Sequence, residues 1–266
     1  MIQVFSTSEL LADAVARHVV ACGQEAINAS GRFTLALSGG STPRAAYSRL
    51  ATRDLADRVN WQRTHVLWGD ERCVPPDDPR SNYRMAKESL LDRVPIPAEN
   101  VHRIRGEDEP ERAAADYEAE LRSLLGCHSE RSEESLGPRA TIERSLASLR
   151  MTNSLDLVLL GLGEDGHTAS LFPGQPAVHE TTRWVVAAMA PDKKLWRVTL
   201  TPAILNLAHD VTFMISGAGK AARLRQVVEG SFTPDRLPAQ AILPAQGRLT
   251  WMVDEAASAL LSMPSR

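Results

Sequence analysis

Residues 161–174 read GLGEDGHTASLFPG and place a carboxylate, Asp165, two positions before an imidazole, His167, in a glycine-rich stretch. An imidazole is well suited to take a proton from water near neutral pH, and a neighbouring carboxylate can orient it. The six residues before His167 also satisfy G-x-G-x-x-G, the dinucleotide-binding pattern. That pattern needs its last glycine to open a full crossover helix. It also needs an acid about 20 positions on, at the end of the next strand. Here Pro173 ends any helix within a few residues of Gly166, and the next strand-like run closes on AMAPD without a well-placed acid. A sharp turn that presents a base is the better reading.

Three other polar stretches follow strand-like runs. Ser38, Gly39, Gly40, Ser41, Thr42, Pro43 and Arg44 combine glycines, hydroxyls and a helix start. Such a loop is either an anion site, with phosphate the best fit, or an ordinary capped strand–turn–helix. In the second stretch, Gly69–Asp70–Glu71–Arg72, Asp70 or Glu71 can orient a base. Arg72 can hold an oxyanion or a phosphate through two N–H groups, and the alternative is a solvated salt-bridged loop. The third, SGAGK, puts Lys220 where a helix opens, either neutralising a phosphate or simply lying on the surface. No Walker A loop, no G-x-S-x-G elbow, no H-E-x-x-H and no His/Cys/carboxylate group with metal-ligand spacing is present. The expectation is acid–base chemistry without metal or cofactor, on a phosphorylated small molecule.

The elements that position these residues alternate. A capping box, Ser6 with Glu9, is predicted to open a long amphipathic helix carrying Leu10, Leu11, Ala14, Val15, His18, Val19 and Cys22. Strands are predicted at 33–38, 65–69, 155–160, 184–188, 211–216 and 249–253. Helices are predicted after Pro43 and over 85–91, 110–125, 219–229 and 254–262. Strands alternating with helices imply an α/β fold with a mostly parallel sheet covered on both faces. In such sheets the loops after the strands share one edge, so the polar stretches can converge there. Residues 126–153 break the rhythm, being rich in Ser, Glu and Arg with no long apolar face. They read as a flexible insertion in a single domain spanning 1–266.

Composition bounds the partners. The chain has 266 residues, 43% hydrophobic and 24% charged, with a net charge of -3. That balance gives no electrostatic case for nucleic acid or an anionic membrane. Three unpaired-looking cysteines, Cys22, Cys73 and Cys127, fit a reducing compartment. The N-terminus lacks signal-peptide features, and no apolar run approaches the roughly 18 residues of a membrane span. A soluble cytoplasmic protein, monomeric or a small homo-oligomer, is expected.

The motifs SGGSTPRA, GDER, SNY, GLGEDGHTASLFPG and SGAGKA, in this order and spacing, resemble the 6-phosphogluconolactonase family. That family shares a superfamily with glucosamine-6-phosphate isomerases/deaminases. The isomerases' histidine is followed by a tail closer to HIAFNEP, and they carry a DEY-type loop. HTASLFP and GDER therefore favour hydrolysis. The resemblance implies a three-layer α/β/α Rossmann-like fold. It also implies 6-phospho-D-glucono-1,5-lactone as substrate, in the oxidative pentose phosphate pathway. On this reading His167 activates water and Asp165 orients it. Arg72 or loop N–H groups meet the developing oxyanion, and Gly39–Thr42 with Lys220 and Arg44 hold the phosphate. Two rivals remain: an isomerase/deaminase acting through a carboxylate shuttle, and a non-catalytic sugar-phosphate sensor. Sensors of this superfamily normally carry a helix-turn-helix domain, for which the early first helix is expected to leave no room.

Overall fold

The computed structural model describes residues 1–126, 154–192 and 194–262, so nearly all of the segment expected to be an insertion lies outside the described residues. Its elements in chain order are β1 (Ile2–Phe5), α1 (Ser8–Ser30), β2 (Phe33–Leu37), α2 (Ser41–Leu50), α3 (Arg53–Ala56), β3 (Thr64–Trp68), β4 (Asp70–Arg72), α4 (Asn82–Ser89) and α5 (Pro110–Gly126). After these come β5 (Leu157–Leu160), β6 (Val185–Met189), β7 (Trp196–Leu200), α6 (Pro202–Leu205), β8 (Asp210–Ile215), α7 (Ala221–Glu229), β9 (Arg248–Asp254) and α8 (Glu255–Ser258).

Six strands form one all-parallel sheet in the order β1-β9-β8-β5-β2-β3, flanked by helices. Both faces are covered, so its central strands read as continuous apolar runs: β2, β5 and β8 are buried along their whole length. Phe213 and Trp251 stack across the β8–β9 pair, ring centroids 4.0 Å apart. The expected parallel α/β architecture is therefore present.

Local details depart from the sequence reading in instructive ways. The cap of α1 is Thr7, whose hydroxyl accepts the Leu10 N–H at 3.3 Å, so the helix register sits one residue beyond the Ser6–Glu9 box. In that register Leu11, Val15, Val19 and Cys22 face inward, whereas Leu10 is half exposed. The helix near residue 85 starts earlier, at Asn82, because the Ser81 hydroxyl accepts the Arg84 N–H. The predicted strand near 184–188 is β6, but it lies outside the parallel sheet. It pairs antiparallel with β7, which pairs in turn with β4, in a separate three-stranded sheet. Among the described residues no helix is long and apolar enough to cross a membrane.

Two buried tyrosines hold the strand ends that matter for the site. The Tyr47 hydroxyl accepts the Ser38 N–H at 2.9 Å and donates to the Ser38 carbonyl at 3.0 Å. Tyr117 does the same for Trp68, at 2.9 and 3.2 Å. Each replaces a missing strand neighbour just where β2 and β3 run out of ladder partners. Burial holds both phenols above their usual titration range. Tyr47→Phe leaves a buried N–H and a buried carbonyl without partners. Urea unfolding should show a loss of about 1–3 kcal/mol. An unchanged unfolding midpoint would mean Ser38 finds other partners.

Candidate active site

β2, β3, β5 and β8 all point the same way in one sheet, so the loops after them meet at one edge. There they enclose a cavity of about 550 Å³, within the usual range for small-ligand sites. Its lining includes Ser38 and Gly39 after β2, Asp70 and Arg72 after β3, Gly161 to Asp165 and His167 after β5, and Lys220 after β8. All four polar stretches singled out in the sequence thus contribute to one cavity. Gly40, Ser41, Thr42 and Arg44 stand just behind it, in the cap and first turns of α2, and do not line it.

His167 and Asp165 form a direct pair, with Nδ1 2.5 Å from Oδ1. Burial pushes the Asp165 carboxyl up, but the imidazole contact and the His167 backbone N–H outweigh it and hold the group down at about 2. Asp165 is therefore the ionised acceptor and Nδ1 the donor. The ring's Nε2 is left as the basic atom, and His167 lines the cavity. The turn that carries the pair closes through Gly163 N–H to the His167 carbonyl at 2.8 Å, and Thr168 Oγ1 donates to the Gly161 carbonyl at 2.8 Å. Gly163 has a specific reason to be glycine. A Cβ there would sit 2.1 Å from His167 Nδ1 and 2.7 Å from Asp165 Oδ1. The G-x-G pattern is thus the space that the imidazole occupies.

The Asp165 pKa yields a pH prediction. Its depressed value means that the ionised pairing is intact above the unfolded carboxylate value and is lost only as pH falls through about 2. Activity lost well above that pH therefore does not come from neutralising Asp165. Asp165→Asn removes the charged acceptor of His167 Nδ1, so kcat should fall while KM changes little. An unchanged kcat would show that Asp165 does not position His167.

The geometry separates the three members of Asp70–Glu71–Arg72, and it corrects the alternative of a solvated loop: they are β4. Glu71 is fully buried and accepts the backbone N–H groups of Arg72, Asn82 and Tyr83 and the Ser81 hydroxyl, so it ties down the start of α4. Burial raises its pKa, against those hydrogen bonds. Asp70 accepts from Ser170 Oγ at 2.7 Å and from Asn82 Nδ2 at 3.3 Å, which joins β4 to the HTASLFP tail. A Cβ on Gly39 would lie 1.8 Å from Asn82 Oδ1, so the first glycine loop closes onto the same asparagine. Among the described residues the Asp70 carboxylate is bound by Ser170 and Asn82 rather than by His167, and its place is in the cavity wall.

Arg72 reaches the cavity and donates to the Arg80 carbonyl. Directly across the β4–β7 pair stands Arg197, which the sequence reading missed. Buried Nε atoms of both arginines have no hydrogen-bond partner among the described residues. Burial first, and then the charge of Arg72, pull the Arg197 pKa below the usual arginine value. Two like charges on facing positions of a ladder are unfavourable, which suits a place where an anion is to be received. The alternating WRVTL run of β7 was the available signal.

Around Lys220 the support comes from Asp254, also not foreseen. This residue caps α8, and its carboxylate accepts from Ser216 Oγ and, at 3.0 Å, from the Gly217 N–H. It thereby fixes the turn that delivers Lys220. The ammonium lies 4.0 Å from the exposed carboxylate of Glu164. Across the cavity, Ser38 Oγ is buried without a partner, and the first turn of α2 has no side-chain cap. Unpaired N–H groups at such a turn favour an anion.

A parallel α/β sheet with an Asp–His pair and cationic groups in one strand-end cavity defines an acid–base enzyme for a small anionic substrate. The model of the family described as glucosamine-6-phosphate isomerases/6-phosphogluconolactonase matches residues 6–251, and the chain belongs to that family. It is 40% identical over 239 residues to a 6-phosphogluconolactonase of Nostoc sp., covering 90% of this chain and 88% of that protein. It is 36% identical over 263 residues to a probable chloroplastic 6-phosphogluconolactonase 3 of Oryza sativa subsp. indica, covering 97% and 75%. The solved structure of the 6-phosphogluconolactonase of Trypanosoma brucei superposes with a TM-score of 0.76 at 28% identity, covering 98% of both chains.

Proposed function

We propose that the chain hydrolyses 6-phospho-D-glucono-1,5-lactone to 6-phospho-D-gluconate, with His167 as general base. The observation that carries this reading is the 2.5 Å Asp165–His167 pair in a cavity that also holds Lys220 and Arg72. His167 Nε2 takes a proton from water as its oxygen adds to C1. The charge developing on the carbonyl oxygen falls to Arg72 or to N–H groups of the glycine loops. As the C1–O5 bond breaks, the imidazolium returns its proton to O5, so one histidine serves both half-reactions. A δ-lactone opens slowly by itself, and no covalent nucleophile is required. Ser38 and Gly39 receive the phosphate, with the start of α2 behind them, Lys220 neutralises it, and Arg197 adds charge beside Arg72. The phosphorylated sugar lactone is the partner this site requires, with no nucleic acid and no membrane, in a cytoplasmic setting.

The functional test is proton release from freshly generated lactone, corrected for spontaneous opening. Acceleration is expected, with no ammonia formed from glucosamine 6-phosphate. Ammonia and a ketose phosphate from the amino sugar, without lactone hydrolysis, would overturn the reading. The phosphate assignment has its own check. Lys220→Ala should raise KM about 10–100-fold with little change in kcat, since a charge-assisted contact remote from C1 is lost. An unchanged KM would remove Lys220 from the phosphate site.

A further inference from the structure

Among the described residues, one group of metal-ligating side chains lies outside the cavity: His18, Cys22 and Asp210. His18 and Cys22 are four residues apart on α1 and so share a helix face. Asp210 opens β8, at the end of the sheet away from the active site. This is why the sequence shows no metal-ligand spacing: the third ligand arrives only on folding. Cys22 and Asp210 are buried, while His18 keeps an edge open to solvent.

The three donor atoms lie within 4.8 Å of one another. His18 Nε2 is 3.3 Å from Asp210 Oδ1 and 3.5 Å from Cys22 Sγ, and the sulfur is also 3.8 Å from His18 Nδ1, beside the ring, so a turn of the imidazole is needed to aim Nε2 at a shared ion. Zinc bonds of about 2.0–2.1 Å to nitrogen and oxygen and about 2.3 Å to sulfur, at tetrahedral angles, separate an N/O pair by roughly 3.3 Å and an N/S pair by roughly 3.5 Å. We propose that His18 Nε2, Cys22 Sγ and Asp210 Oδ1 form a three-ligand site for Zn²⁺, with the fourth position facing solvent beside His18.

The surroundings suit a carboxylate ligand. Asp210 Oδ2 accepts from Arg248 Nε at 3.0 Å, and Oδ1 also accepts from Thr212 Oγ1 at 2.9 Å, so the carboxylate is held in place. Partners of this kind orient metal ligands. Arg248 brings a positive charge close by, but its Nη2 is paired with Glu25 at 3.3 Å. With thiolate, carboxylate, Zn²⁺, Arg248 and Glu25 counted together, the cluster is neutral. Bound metal would pin α1 to β8. Six strand residues, about 20 Å, separate Asp210 from the loop carrying Lys220, so lactone hydrolysis is expected to be indifferent to it.

The experiment is an anaerobic titration of the whole chain with Co²⁺, a coloured stand-in for Zn²⁺. One equivalent should give a thiolate-to-cobalt charge-transfer band and the intense visible bands of a tetrahedral site, and Zn²⁺ should bleach both. Cys22→Ala should lose the charge-transfer band, and His18→Ala, at a partly exposed position, should lose stoichiometric binding. Both variants should retain lactone hydrolysis, which shows that they are folded. Absence of a stoichiometric band in the wild-type chain would overturn the site. So would a band that survives Cys22→Ala, since its sulfur would then come from Cys73 or Cys127.

Discussion

Replacing His167 by alanine is expected to lower the rate of lactone hydrolysis by about 10²–10⁴-fold once spontaneous opening is subtracted. Among the described residues that line the cavity the ring is the only imidazole, and its Nδ1 is committed to Asp165. No other lining group is a base placed and oriented in this way. Asp70 is engaged by Ser170 and Asn82, and Glu164 lies toward Lys220. KM should change far less than kcat, because the phosphate and its cationic partners are untouched. Near-wild-type turnover would exclude His167 as the base. An equal loss in KM alone would make it a binding group.

The second large effect is expected from a single methyl group. Gly163→Ala puts a carbon 2.1 Å from His167 Nδ1, well inside contact distance. The clash involves the pair itself, so either the imidazole swings away or the turn opens. A base misplaced by about 1 Å costs on the order of 10²-fold in rate. The turn is at the surface of the cavity and carries little of the core, so thermal unfolding should move only modestly. Full activity in Gly163→Ala would mean that the ring is not held where the turn places it. Unfolding at wild-type temperature with activity lost would identify a positioning effect rather than a folding one.

These expectations also mark what was legible in the sequence. The four strand-end loops were, because each joins an apolar run to glycines and polar residues, and a parallel sheet brings such ends together. The small antiparallel sheet was not. β4 is three charged residues long, and its burial depends on partners far along the chain: the start of α4 for Glu71, Ser170 for Asp70, and β7 for the ladder. No local pattern announces such a strand. Arg197 lies in a run whose alternation was legible, but only the β4–β7 register sets it against Arg72. Asp254 read as the start of a helix, and its grip on Ser216 and Gly217 requires β8 and β9 to be neighbours. At the anion loop the motif was legible but its parts were not separable: Ser38 and Gly39 line the cavity, whereas Ser41, Thr42 and Arg44 belong to α2 behind it.

A crystal structure with 6-phospho-D-gluconate bound tests the assignment of roles most directly. The phosphate is predicted to lie between Ser38–Gly39 and Lys220. The C1 carboxylate, standing where the lactone carbonyl reacts, is predicted within hydrogen-bond distance of His167 Nε2, with Nδ1 still on Asp165. A phosphate seated against His167, or an imidazole turned away from C1, would contradict it.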